Sequence, residues 1–395
     1  MNSTMLMRIT CLMVTLGAAG CAGAGGTPPP PEQRVRPVVA ELFGQFDPAL
    51  VQDPANGRLW MTYSMVDRSA HSRWRVGLRI ASSDNGGANW KDHGVLEPLS
   101  DVTVGPLAVT RPEPAIGNGA RGSWMNETST LVYDPHPAVP PGQRWKLVWH
   151  QALWVDNKPY FASYSWIAIK TAARPEDLAA APAKRWIGNF LLKPDAYLPS
   201  AQAPASGPTT LPLHTLHPEL SRCVFAEPAL HATRDVLYLA LDCQFLGNPV
   251  QPYITLFRCS SPCDMNTLSG WKYLGRLTTP ADAKAIHRKY KSLGAPALVQ
   301  QGGETWLLAT PVERSFGDDR YDGCLAFRFA DLARGQLERV NGKLVVRRSL
   351  AGMPGSHHGA CASHAALRSG MLYSQLVTRE PPEFFRIYRS GVRLP

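Results

Sequence analysis

From Phe46 onward the apolar residues fall in short runs cut by turns, and sustained helical spacing is almost absent. Three stretches set the pattern. Asp47-Pro48-Ala49-Leu50 leads into VQDPANGRLWMTYS, Glu227-Pro228-Ala229-Leu230 into HATRDVLYLALD, and Ala295-Pro296-Ala297-Leu298 into VQQGGETWLLATP. Each has an apolar run, a polar or glycine-bearing turn, and a second run rich in β-branched and aromatic residues, which marks a β-hairpin. Two looser copies begin at Trp124 and at Gly359. Helical spacing is confined to short segments at 175–183 and 280–289.

A second half-unit follows each hairpin: Val76 to Trp90, Trp166 to Trp186, Ile254 to Trp271, a run from Cys324 and a run from Phe385. Five hairpins with their outer strands predict an all-β chain, a five-bladed β-propeller of four-stranded antiparallel blades over residues 36–395. Pro-, Ala- and Gly-rich stretches near 97–123 and 187–222 interrupt the spacing and are expected as loops on one face of the disc.

The first strand of each blade lines the central channel. Aligning the five copies puts Asp47, Glu127, Glu227, Ala295 and a position near Ala360 on one ring. Each acid taken singly could be turn or cap chemistry; the shared register is what points to a site. Carboxylates crowded in a funnel repel one another, so at least one should hold its proton to higher pH. Two carboxylates flanking a glycosidic bond are what sugar hydrolysis requires. Glu113 and Asp134 are further acids, both expected in turns.

Over roughly residues 44–395 the chain resembles the five-bladed glycoside hydrolases of the arabinanase/β-xylosidase and invertase type. That resemblance implies Asp47, in Asp-Pro, as general base and Glu227, in Glu-Pro, as general acid. It makes Glu127, in Trp-Met-Asn-Glu, the acid that tunes the other two. Those families usually have Asp in a W-A-P-D stretch at that place. Ser83 to Trp90 (SDNGGANW) is similar to the Asp-box turn of sialidase-type propellers, with Asn85 where Asp is usual and Asn89 where Thr is usual. A sialidase-like enzyme would need several arginines in the funnel, and only Arg111 and Arg386 are loose candidates. Invertase-like W-M-N-D-P belongs on the first blade, so the match at Trp124 weighs little.

Around the second blade Trp124, Trp149, His150 and Trp154 are dense. Aromatic faces stack on sugars, so Trp124 and His150, with His358 and Arg111, are the expected substrate contacts, and Trp149 is expected in the core. His357, His358 and His364 cluster near Cys361 and read as polar channel lining. Asp318, Asp319 and Asp322 read as a solvated loop or, alternatively, a calcium-type site. No sequence motif calls for a cofactor or metal, although the funnel could hold a structural cation. A G-x-S-x-G elbow, an H-E-x-x-H helix and a phosphate-cradling loop are all missing from the sequence.

Composition adds location. The 395 residues carry 41 Lys+Arg against 31 Asp+Glu, a net charge of +10, but the basic residues are spread singly. That distribution argues against nucleic acid and allows attraction to an anionic glycan or envelope surface. Arg8 followed by an apolar run reads as a signal peptide over 1–20, too short to span a bilayer. Ala18-Ala19-Gly20 before Cys21 resembles a lipobox and makes Cys21 the expected lipidation site; Leu is commoner than Ala at the −3 position, which leaves an ordinary cleaved signal as the alternative. Residues 21–35 would tether the domain, expected as a monomer, to the bacterial envelope. Six further cysteines in an exported chain favour disulfides. Fifteen pairings exist; the expected ones are Cys223–Cys243 about the hairpin, Cys259–Cys263 across a small loop, and Cys324–Cys361 from the remainder.

Overall fold

The computed structural model describes residues 34–36, 44–68, 74–104, 109, 113–156, 158–188, 210–245, 251–313, 320–350, 357–376 and 385–395. The described chain is antiparallel β-structure with a single α-helix among the described residues, Pro280–Ile286, capped by Thr279 and Asp282 in a capping box. The stretch at 175–179 is a short 3-10 turn. The expectation of an all-β propeller is met.

The strands form successive units, each with an inner, a middle and an outer strand. Inner strands are Gly44–Gln52, Ala120–Tyr133, Cys223–Ala232, Ser292–Gln301 and His358–Ala362. Their middle partners are Leu59–Arg68, Trp145–Val155, Val236–Phe245, Glu304–Val312 and Leu372–Leu376. Outer strands follow at Trp74–Ser83, Ser165–Ala172, Gln251–Ser260, Cys324–Asp331 and Phe385–Arg389. The third unit is a plain four-stranded sheet, completed by Trp271–Arg276.

The core lies between these sheets. Trp60 and Ile80 of the first unit pack with Trp149 and Trp166 of the second, and Val148 and Trp186 of the second with Leu239 and Phe257 of the third. Leu256 packs with Leu307 and Phe327, and Trp306 with Tyr373. Val35 closes the set, packed with Leu59 and Tyr63 of the first unit and Leu372 and Ile387 of the last. Val35 N–H donates to Ile387 O at 2.9 Å. Arg34 and Val35 are thus docked against the last outer strand, whereas the sequence had placed them in the tether.

The cysteines pair as expected: Cys223–Cys243, Cys259–Cys263 and Cys324–Cys361. The first two pairs lie within the third unit and the last ties the fourth unit to the fifth. Between the first unit's outer strands, Ser83 Oγ accepts the Gly87 N–H and Asn85 Oδ1 accepts the Asn89 N–H, both at 2.9 Å. Gly86 and Gly87 there hold positive φ, which glycine adopts without a Cβ penalty.

Candidate active site

Every inner strand has the same defect. Pairing with the middle strand skips two residues at 47–48, 128–129, 227–228, 295–296 and 360–361. The first of each pair is left-handed: Asp47, Thr128, Glu227, Ala295 and Ala360 have φ between 45° and 52°. Such a β-bulge re-aims one side chain out of the pleat. Proline suits the second slot, because that residue makes no ladder bond and needs no N–H. This explains the repeated Pro48, Pro228 and Pro296.

The bulge corrects the sequence alignment in one copy. Thr128, and not Glu127, is the counterpart of Asp47 and Glu227. Glu127 stands one residue earlier, opposite His150, level with Phe46, Ala226, Gly294 and Gly359. The second copy has Ser129 where the first, third and fourth have proline, and the fifth has Cys361, so no proline marked the register there. Matching Thr130-Leu131 to Ala49-Leu50 would have found it.

The slip leaves the acids together. Asp47 is 9% exposed. Burial pushes its carboxyl well above the ordinary range, and the charges of Glu127 and then Glu227 push the same way. Opposing this, Oδ2 accepts the Ser64 hydroxyl at 3.3 Å and the Thr128 hydroxyl at 3.2 Å. Glu227 Oε2 accepts the Ala295 N–H at 2.6 Å, and Oε1 accepts the Tyr321 hydroxyl at 3.4 Å. Glu127 Oε1 lies 3.6 Å from His150 Nδ1. Sequence reading missed Thr128, Ser64 and Tyr321, because hydroxyls carry no motif.

Half-buried aromatic rings stand beside the acids. Phe46 meets Phe385 at 5.2 Å, Phe385 meets His357 at 5.7 Å, and His357 meets Tyr321 at 4.7 Å between ring centroids. Burial, with the charges of His358 and Arg320, lowers His357 to about 4, so its ring is neutral at pH 7. On the second unit Phe161 contacts His150 at 5.4 Å and Trp154 at 6.2 Å.

The expected substrate contacts divide. His150 is present beside Glu127 but 2% exposed. Trp124 is core, packed on Trp166 at 5.0 Å, because its neighbour in the pleat takes the other face; Trp154 is the tryptophan beside Phe161. His358 is 1% exposed and packs edge-on to Tyr373, so the histidine among the rings is His357. Trp149 is buried as expected, its indole N–H donating to Asn126 Oδ1 at 2.9 Å. Asp134 is buried and paired with Lys146 at 2.9 Å; Glu113 accepts the backbone N–H groups of Ala162 and Ser163. Arg386 is 1% exposed, its guanidinium donating to the Phe385 carbonyl at 3.2 Å. Arg111, Cys21, Asp318 and Asp319 lie outside the described residues.

Beyond the bulges, the second halves of all five inner strands enclose a cavity of about 340 Å³, lined among others by Gln52, Tyr133, His231, Gln300 and His364. Asp47 and Glu227 sit in the bulges and Glu127 just before one, nearer the strands' N-terminal ends, and none of the three lines this cavity.

No protein-family model and no curated protein matches the sequence. Solved structures similar to it include a family 117 glycoside hydrolase of the marine bacterium Zobellia galactanivorans, at 12% identity over 91% of this chain and 89% of that one, with a TM-score of 0.45. An α-L-arabinofuranosidase of Podospora anserina in complex with cellotriose matches at 10% identity over 92% and 96%, TM-score 0.45. A β-fructofuranosidase of Bombyx mori matches at 14% identity over 90% and 62%, TM-score 0.43.

Proposed function

We propose that this protein is a glycoside hydrolase in which Asp47 and Glu227 form the acid/base pair and Glu127 tunes Asp47. The observation that carries the reading is the environment of Asp47, a buried carboxyl with a raised pKa whose charged neighbours are the other two acids. Groups that must exchange protons near neutral pH are made in this way. The flanking rings of Phe46, Phe385, Tyr321 and Phe161 supply flat apolar faces, and sugars offer matching C–H surfaces. Hydroxyl donation to Asp47 and N–H donation to Glu227 hold the two carboxyls in fixed orientations on the first and third inner strands, as general acid–base work needs.

As the base, Asp47 would deprotonate a water while Glu227 protonates the leaving oxygen. For inversion the two carboxyls should stand about 6.5–9.5 Å apart in the substrate complex. The three disulfides fit an exported chain; lipidation at Cys21 on the envelope belongs to the same proposal.

The test is a glycan panel hydrolysed by the mature domain. Glu227→Gln and Asp47→Asn should each lower kcat by a factor of about 10²–10⁴ with the fold retained. Binding without turnover in the unaltered protein would make it a glycan-binding module and end the enzyme reading. The same assay separates the roles. Glu127→Gln removes a charge that raises Asp47, so the limb of the pH–rate profile that Asp47 governs moves to lower pH. It is the acid limb if Asp47 is the base and the alkaline limb if Asp47 is the acid.

A further inference from the structure

Neighbouring units are joined by a repeated bond at the bulge. Asp47 N–H donates to Ser374 Oγ, Thr128 N–H to Ser64 Oγ and Ala360 N–H to Thr310 Oγ1, at 2.8, 3.2 and 2.8 Å. Each acceptor is a buried hydroxyl on the middle strand of the preceding unit. In register with these three hydroxyls stand His150 in the second unit and Asp242 in the third, which pairs with Ala226 just before Glu227. At the junction of the third and fourth units the Ala295 N–H goes to Glu227 Oε2. Asp242, 6% exposed, occupies the register place that a hydroxyl latch has in the first, fourth and fifth units.

Gly294 shows how near the two carboxyls come. A Cβ on that residue would lie 3.2 Å from Glu227 Oε2 and 3.6 Å from Asp242 Oδ2. Both oxygens thus border one small space, and the absence of a side chain at 294 keeps it open. Two carboxyls bordering one such space, Asp242 buried and Glu227 half-buried, each raise the cost of ionising the other.

We infer that Asp242 is a positioning residue for Glu227, the two carboxyls sharing one proton across Gly294 so that Glu227 stays supplied with the proton it delivers. The inference rests on the acid role proposed above for Glu227. In the step, the O–H bond of Glu227 breaks as its proton goes to the leaving glycosidic oxygen. The negative charge left behind is spread over the pair, and the next proton comes from solvent. Among the described residues, the charged or titratable groups facing Glu227 include Asp242 on its own middle strand, Asp47 from the first unit and Tyr321 ahead of the fourth outer strand, itself against His357.

The experiment is a ¹³C-carboxyl NMR titration of protein labelled at glutamate, with the Glu227 signal identified by its loss in Glu227→Gln. In the unaltered protein Glu227 should titrate in two coupled steps. In Asp242→Asn the step shared with Asp242 should be lost and the Glu227 midpoint should fall by about one pH unit or more, and kcat should fall at least tenfold with KM within about twofold. Asp242→Ser, which restores the hydroxyl found at the first, fourth and fifth positions, should give the same readings in a background that copies the protein's own latch. An unchanged Glu227 titration in either variant overturns the inference. Coupled titration in a protein that hydrolyses no glycan would leave the shared proton standing and remove the glycosidase reading instead.

Discussion

The inner strands at Glu227 and at Ala295 are two versions of one device. Both carry Pro-Ala-Leu after the bulge, both skip two residues in the ladder, and their left-handed residues have φ of 49° and 45°. They differ in what the bulge presents: a carboxyl with donors on both oxygens in one, a methyl group in the other. A left-handed alanine costs about 1–2 kcal/mol relative to the right-handed region, yet the backbone keeps it at Ala295 and Ala360. The bulge therefore belongs to the scaffold, and the chemistry proposed above is assigned to the copies where an acid occupies it.

If so, damage to the scaffold and damage to the site should separate. The largest effect on stability should come from the latch on the alanine side. Thr310→Val leaves the buried Ala360 N–H without its acceptor and should cost about 1–3 kcal/mol, read by urea unfolding with the same loss at pH 5 and pH 8. A loss that varied with pH would tie that latch to the acids and blur the division.

On the acid side the sign reverses. Asp47 has a raised pKa in the folded state, so stability is highest below the ordinary carboxylate range, falls as pH rises through the raised value, and stays reduced above it. Asp47→Asn cannot ionise and keeps a residue type that tolerates left-handed φ. Its Tm at pH 8 should exceed that of the unaltered protein by roughly 2 °C or more, and the gap should close as the pH is lowered towards 3. Equal Tm values at both pH values would mean that burial does not penalise this carboxylate. The smallest effect should be Ala295→Gly, where relief of left-handed strain is offset by the extra freedom of an unfolded glycine. We expect a change within about 0.5 kcal/mol by the same unfolding assay.

Much of this arrangement was legible in the sequence because hairpin repeats declare themselves by period. The Pro-Ala-Leu copies, the disulfide pairs and the acids at 47 and 227 all follow from residues that recur or stand next to something that recurs. The second copy was misaligned by one residue because Thr128-Ser129 has no proline to mark the bulge. The collar of Phe46, Phe385, His357 and Tyr321 could not be read at all. Its members come from the first, fourth and fifth units, and only closure of the ring brings them together. Asp242 was hidden for a related reason: it lies inside an apolar run, and its meaning comes from the four residues in register with it on other sheets.

That closure has a mechanical side. Four of the junctions between neighbouring units are bridged by continuous backbone, whereas the first and last units meet at a seam where Val35 docks beside the Asp47–Ser374 and Arg389–Gly87 bonds. The seam works as a clasp on a bracelet. A pull on the chain upstream of Arg34 would peel that one strand from Ile387 before loading any strand that bears an acid. The ring can thus be held by its N-terminal lead without distorting the site, until the clasp itself gives way.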